Sequence, residues 1–216
     1  VSCTDYSPSA RSCGGGSGRA YRTLQGAADA AVAGDVVQVR AGSYNERLIP
    51  GRSGTETLPV IFTVAQGETA TLTNLDEPAI FLKGRSYVVV EGFTVTNVVG
   101  WARLEDSSHN TLRKNAFSRA TASGTTGGVK LVRGGYNRIQ ENTLEDGNDS
   151  LVIQDSDRNV VQGNSFTRGR HSLLSLRCGN HNVIRGNSFS NPDQKNLEIY
   201  DCEGTSDAPV KLDATK

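Results

Sequence analysis

His171, Arg177, Lys195, Glu198 and Tyr200 are side chains that bind anions or move protons, and they crowd into one stretch with Asp201 alongside. Arg177 offers a planar cationic fork that matches a carboxylate. Lys195, His171 or Tyr200 can exchange protons when a neighbour shifts its titration. The same types also suit an ion-pair and hydrogen-bond ladder on a solvated face, and the residues alone leave both readings open. Which reading applies depends on whether the chain stacks these positions on one another.

The 216 residues suffice for one domain with a substantial core. Lys plus Arg and Asp plus Glu both number 23, so no global field favours nucleic acid or an anionic membrane. No apolar run approaches the ~20 residues of a membrane span. Glycine is abundant, and Asn recurs beside Val, Ile and Phe, which reads as short strands separated by tight turns. Methionine is absent even at position 1, which points to a processed product or a piece of a longer chain.

Four segments share the pattern Asn-x-(Leu/Ile/Val)-x-x-Asn-x-(Phe/Leu). The first Asn is Asn110, Asn137, Asn159 or Asn182, the second Asn115, Asn142, Asn164 or Asn187, and the closer Phe117, Leu144, Phe166 or Phe189. Equivalent positions recur every 22 or 23 residues, except for one step of 27 that contains a Gly/Thr/Ser insertion at 121–128. This period fits one turn of three short strands. Ala102 and Leu104, Val129 and Leu131, Leu151 and Ile153, and Leu174 and Leu176 alternate with polar neighbours, so one set points inward. The expected fold is all-β, a right-handed parallel β-helix. Its Asn columns are structural, because Asn tolerates left-handed turns and its amide can bond the next Asn.

An earlier coil covers 78–99, with Val95 where later coils carry Phe, and less regular strands precede it. Leu24, Ala27, Ala28, Ala31 and Val32 share one face of a predicted helix at 23–33, with Thr23 as N-cap and Gly34 as C-cap. That helix is expected to cover the N-terminal end of the solenoid. The expected organisation is a single domain over 1–216: a disulfide-clipped segment at 1–22, the capping helix at 23–34 and coils from 35 onward. The residues from Val210 read as the opening strand of a further coil, and continuation of the natural chain past Lys216 is expected, with end-to-end self-association as the other way to cover that end.

Cys3, Cys13, Cys178 and Cys202 suit an oxidising compartment, hence a secreted protein, extracellular or periplasmic. The spacing favours the pairs Cys3–Cys13 and Cys178–Cys202, the second because 24 residues is about one coil. Buried free thiols are the alternative.

Two stretches extend the reading to a family. AADAAVAGDVVQVRAGSYNERL, LPVIFTVAQGETATL and YVVVEGFTVTN, with LSLRCGNHNVIRGNSF later, resemble the pectin-lyase-like β-helices, nearest to the alginate lyase and chondroitinase B polysaccharide lyases. The resemblance implies that Arg177 stands where these lyases carry a catalytic arginine. Their catalytic lysine lies one coil earlier, and the stacked position here is Gln154. No Glu-rich calcium motif precedes it, so calcium is implied by the resemblance alone and the residues require no cofactor and assign no metal site. β-Elimination on a uronic-acid polymer needs a cation on the carboxylate, a base and an acid. The implied set is Arg177 on a carboxylate, with Lys195, His171 or Tyr200 exchanging protons. Lys130, Glu198 and Arg103 complete a surface for an acidic polysaccharide. The competing function is a non-catalytic extracellular scaffold that adheres or assembles end to end.

Stacking predicts two outward columns: Lys83, Glu105, Val132, Gln154, Arg177, Tyr200, and Phe81, Arg103, Lys130, Val152, Ser175, Glu198. Weaker signals include Asp146, Asp149, Asp155 and Asp157, read as acidic turn residues. His109 and His181 are read as exposed at turns, and Trp101 and Tyr136 as aromatic side chains that either pack or stack on a sugar.

Overall fold

The computed structural model describes residues 19–122 and 127–200, together with the backbone of the short strands Tyr6–Ser7, Ser12–Cys13 and Lys211–Asp213. Beyond the two-stranded N-terminal pairing, all strands run parallel in three sheets of six, eight and seven strands. Consecutive strands enter different sheets, so each full coil from Val60–Val64 onward contributes one strand to each, while the first coil reaches the six-stranded sheet only through the single bridge Leu48–Ile80. The result is an all-β parallel solenoid with one short helix near its beginning.

Register is kept residue for residue from coil to coil. Leu82, Leu104, Leu131, Ile153 and Leu176 are successive partners in one sheet. Val95, Phe117, Leu144, Phe166 and Phe189 form the corresponding file in another. The 27-residue step leaves the register intact, because Leu104 still faces Leu131. The core files are buried throughout, apart from the partly buried Phe189, and each such side chain contributes about 1.5–3 kcal/mol of burial. The strand Lys211–Asp213 pairs with Val183–Arg185 in the same manner.

Both Asn columns are hydrogen-bonded files within the turns. Asn110 Nδ2 donates to Asn137 Oδ1 at 3.2 Å, Asn137 Nδ2 to Asn159 Oδ1 at 3.2 Å, and Asn159 Nδ2 to Asn182 Oδ1 at 2.9 Å. Each carbonyl oxygen also accepts the backbone N–H of the preceding Asn, as Asn137 Oδ1 does from Asn110 N at 3.0 Å. The second file runs Asn115, Asn142, Asn164, Asn187 with the same bonds. The left-handed backbone does not belong to these Asn residues, contrary to expectation. It belongs to the residue before each of them: His109, Tyr136, Arg158 and His181 in one column, Lys114, Glu141, Gly163 and Gly186 in the other. The Asn side chain must turn inward to serve backbone groups, which fixes its own backbone and moves the strained position one residue earlier.

The residues of the first left-handed column stack outside. Tyr87, His109 and Tyr136 have ring centroids 4.8 Å apart at each step, and the Arg158 guanidinium lies 5.7 Å from the Tyr136 centroid on its ring face. His109 and His181 are exposed, as expected. Tyr136 therefore meets His109 and Arg158, and Trp101 is fully buried against Phe117 with Nε1 donating to Ser118 O. Both aromatics pack.

The helix is shorter than predicted, spanning Leu24–Ala30. Thr23 caps it as expected, accepting from Gly26 N, but the C-cap is Ala31 in an extended conformation and not Gly34. The Asp35 carboxylate captures Val32 N–H at 2.9 Å and Asp35 N–H bonds Val32 O, so a tight turn competes with the last helical turn. Gly34 serves that turn with φ +88°, and Val32 ends up exposed. Leu24, Ala28 and Ala31 join the core, and the Gln25 amide bonds both backbone groups of Ile49, which closes this end of the solenoid.

Asn137→Ala is expected to cost about 3 kcal/mol, because in the buried file it removes the acceptor of Asn110 N–H, one of the two acceptors of Asn110 Nδ2, and the donors to Ser107 O and Asn159 Oδ1. Asn187→Ala, at a partly exposed position, should cost about 1 kcal/mol. Urea unfolding followed by circular dichroism measures both, and equal costs would refute a load carried by the buried file.

Candidate functional site

The site lies on the outward face of the sheet built from Ile80–Lys83, Ala102–Glu105, Val129–Val132, Asp149–Gln154, Ser172–Arg177 and Lys195–Tyr200. Both predicted columns are present. Arg103 pairs in register with Lys130, Lys130 with Val152, Val152 with Ser175 and Ser175 with Glu198, while Gln154 pairs with Arg177 and Arg177 with Tyr200. A third column missing from the sequence reading comprises Asp149, Ser172 and Lys195. Backbone bonds His171 N to Asn148 O, and Lys195 N to His171 O, hold the entering turns of these coils over one another. Gly128 makes room beneath, since a Cβ there would meet Asp149 O at 2.0 Å.

Asp149 is a buried strand residue and not a turn residue, which corrects the sequence reading. Its Oδ1 accepts from His171 Nδ1 at 2.6 Å and from Ser172 Oγ at 3.0 Å. A carboxylate can only accept, so in the neutral ring Nδ1 carries the proton and Nε2 keeps a lone pair. Ser172 fixes the carboxylate, and the carboxylate fixes the imidazole.

Glu198 is the second buried carboxylate. Oε1 is ion-paired with Lys195, while Oε2 is buried without a hydrogen bond among the described residues, 3.9 Å from His171 Nδ1 and 3.8 Å from Arg177 Nη2. Burial alone would push this carboxyl up. Hydrogen bonds from Lys195 and Tyr200, with the charges of Lys195 and His171, hold it below the ordinary carboxylate range. The same contacts act on the partners. The hydrogen bond to Glu198 raises Lys195, and it raises Tyr200 together with desolvation and the Glu198 charge. Both therefore keep their protons at neutral pH, which suits a cation and a proton donor better than a base.

Arg177 is oriented by two contacts. Nε donates to Ser175 Oγ at 3.0 Å, and the guanidinium lies 4.7 Å from the centroid of the Tyr200 ring. Its Nη2 stands 3.6 Å from Asp149 Oδ2 and 3.8 Å from Glu198 Oε2, close enough for attraction but beyond hydrogen-bond reach of either. Among the described residues the outer fork of Arg177 is thus held in place without being hydrogen-bonded. Bringing a carboxylate to it costs no existing hydrogen bond.

Of the sequence-predicted residues, His171, Arg177, Lys195, Glu198 and Tyr200 converge. Lys130 and Arg103 lie farther along the axis, three and four coils from Glu198, or about 14 and 19 Å at the spacing of paired strands. Burial lowers the Lys130 pKa, with Arg103 and Arg177 adding like-charge repulsion. Arg103 is bound to Glu105 at 2.7 Å, and Glu105 also meets Lys83 at 3.4 Å and Arg133 at 2.9 Å. Cys3 and Cys202 lie outside the described residues and Cys13 is described in its backbone alone, so the predicted disulfide pairs lie outside them too. Among the described residues no three His, Cys, Asp or Glu side chains converge as metal ligands. The oxygens of Asp149 and Glu198 face cationic or hydroxyl donors with Arg177 between them, an arrangement that does not fit a resident calcium ion. No helix among the described residues is long and apolar enough to cross a membrane.

Residues 78–210 match the family model described as the right handed beta helix region, and the chain belongs to that family. A relative from Bacillus subtilis (strain 168), the uncharacterized protein YwoF, is 25% identical over 166 residues, covering 67% of this chain and 35% of its own length. The structure of a PL6 family polysaccharide lyase from Pseudopedobacter saltans superposes with TM-score 0.61 at 17% identity, covering 76% of this chain and 44% of that one. The pectate lyase Pel9A gives TM-score 0.48 at 14% identity, covering 91% of this chain and 74% of that one. The chain thus spans less than half of the first two proteins, and at such identities the structural likeness is one of fold.

Because Glu198 titrates below its ordinary value, its ion pair stabilises fully above the ordinary carboxylate range and fades as pH falls through the lowered value. Lys195 mirrors this, contributing below the ordinary lysine range and fading as pH rises through its raised value. The melting temperature of wild type minus that of Glu198→Gln should therefore be flat near neutrality and shrink in acid below about pH 4. A difference that grows in acid would contradict the assignment.

Proposed function

We propose that this chain is a secreted, extracellular or periplasmic, carbohydrate-active β-helix that binds an acidic polysaccharide along this sheet face and cleaves it by β-elimination. The observation that carries the reading is Arg177, whose outer fork is pre-oriented and unbonded beside an Asp149–His171 pair. Arg177 and Lys195 neutralise the uronate carboxylate, which acidifies the neighbouring C–H. His171 Nε2 takes that proton, the C–H electron pair becomes the new C=C bond, and the C–O bond to the leaving sugar breaks. Tyr200, kept protonated by Glu198, gives its proton to the departing oxygen. Lys130 and Arg103 extend positive charge along the axis for neighbouring uronates.

A second reading, a non-catalytic extracellular scaffold that adheres or assembles end to end, draws support from the ion network around Glu105 on the same face. Incubation with alginate, pectate or chondroitin, with and without calcium, separates the two. The expected outcome is rising ultraviolet absorbance from the unsaturated product, with His171→Ala and Arg177→Ala each lowering kcat by about a hundredfold or more. Absence of product on every polymer, with concentration-dependent growth in light scattering, would replace the enzyme by the scaffold.

The predicted Cys178–Cys202 pair belongs to the same reading. It is supported by the Arg177–Tyr200 register and by Cys178 N–H, which donates to Tyr200 O at 3.3 Å. Non-reducing peptide mass mapping should recover these two cysteines as one linked species that reduction separates, and recovery of Cys178 as a free thiol would remove it.

A further inference from the structure

We propose that Glu198 recognises a ring hydroxyl of the bound uronide through Oε2, so the site selects polyuronides whose ring hydroxyls are unsubstituted. The inference rests on the polyuronide reading above and adds the chemical form of the substrate. Among the described residues Oε2 is the buried carboxylate oxygen of this cluster left without a hydrogen bond, whereas Asp149 Oδ1 has His171 and Ser172, and Glu198 Oε1 has Lys195. A buried anionic acceptor left in that state is unfavourable, and it is tolerated where a partner arrives with a ligand. His171 Nδ1 cannot supply the hydrogen bond without leaving Asp149, from 2.6 Å to a position now 3.9 Å from Oε2.

The groups covering Glu198 are the ones a uronate draws away. Lys195 is half exposed on a flexible stem, and the Arg177 fork is unbonded, so both can turn toward an incoming carboxylate. Glu198 then keeps Tyr200 but stands next to a carboxylate of like charge with Oε2 still unpaired. That arrangement is favourable only if the substrate presents a donor to Oε2, and beside a uronate carboxylate the available donors are ring O–H groups. A uronide with an ester on those oxygens has no such donor and leaves the acceptor unpaired.

Hexamers of mannuronate, guluronate and galacturonate, each in free and fully O-acetylated form, test this by calorimetric titration in a His171→Ala background that does not cut them. At least one free hexamer should bind about tenfold or more tightly than its acetylated form, and Glu198→Gln should abolish that ratio by weakening the free hexamer alone. A purely steric penalty of the acetyl groups would persist in Glu198→Gln, and that persistence overturns the inference. Equal binding of both forms to the background protein overturns it as well, while leaving the polyuronide reading intact. Binding of none of the six hexamers removes that reading and the inference with it. Should Glu198→Gln fail to fold by circular dichroism, Glu198→Asp, which keeps the charge but withdraws the oxygens, must lose the same ratio.

Discussion

Coil-to-coil register is the constraint on which the rest of the structure depends. Parallel pairing forces the residue one period away into a fixed vertical position, and the buried Asn files prevent slippage by tying each turn to the next through side chain and backbone together. A slip of one residue would turn Leu131, Ile153 and Leu176 outward and put Lys130, Val152 and Ser175 into the core. The core files and the outward columns are thus consequences of one register. The long insertion at 121–128 shows how firmly it holds, since extra chain is accommodated between strands while Leu104 and Leu131 still meet.

That rigidity lets a flat strand face carry a charge cluster that would be costly elsewhere. Two buried carboxylates only two coils apart repel each other, and burying such charges without partners is costly. Here each has an immediate donor: His171 and Ser172 serve Asp149, and Lys195 and Tyr200 serve Glu198. Arg177 sits between the pair and is held by Ser175 and Tyr200, neither of which competes for its outer fork. The contrast with Glu105 on the same sheet is informative. Three cations surround that carboxylate within ion-pair distance, and Arg103 is hydrogen-bonded to it, so both of its oxygens are engaged.

The solenoid was legible in the sequence because its period is written in residue types that have few other uses in such spacing. Asn110, Asn137, Asn159 and Asn182 gave the phase, and the phase placed Arg177 beside Tyr200 and Ser175 beside Glu198. Asp149 escaped because its neighbours Gly147 and Asn148 speak for a turn. Extending the outward columns back to the strand starts brings Asp149, Ser172 and Lys195 into file, and the partner of His171 lies in that extension. The helix end was misplaced because a glycine is a strong stop signal, whereas Asp35 had already captured the backbone two residues before Gly34. The left-handed turn positions were assigned one residue too late because amide hydrogen bonding and tolerance of left-handed backbone both favour Asn, and here only the first is used.

Fold and chemistry separate cleanly in such an architecture. Each coil adds an outward residue at a fixed address, so replacing one side chain changes the chemistry of the face without disturbing the core behind it. Gln154 occupies the address directly before Arg177, and its amide can neither carry a positive charge nor take a proton in the way a lysine there could. A site on this face must therefore draw its base from another direction. His171 enters from the turn that precedes the strand and not from the strand itself, and the 22-residue offset to Asp149 brings the imidazole onto the face one position ahead of the strand register. The turn supplies the imidazole and the strands supply the charges that orient it, a division that the solenoid can vary coil by coil.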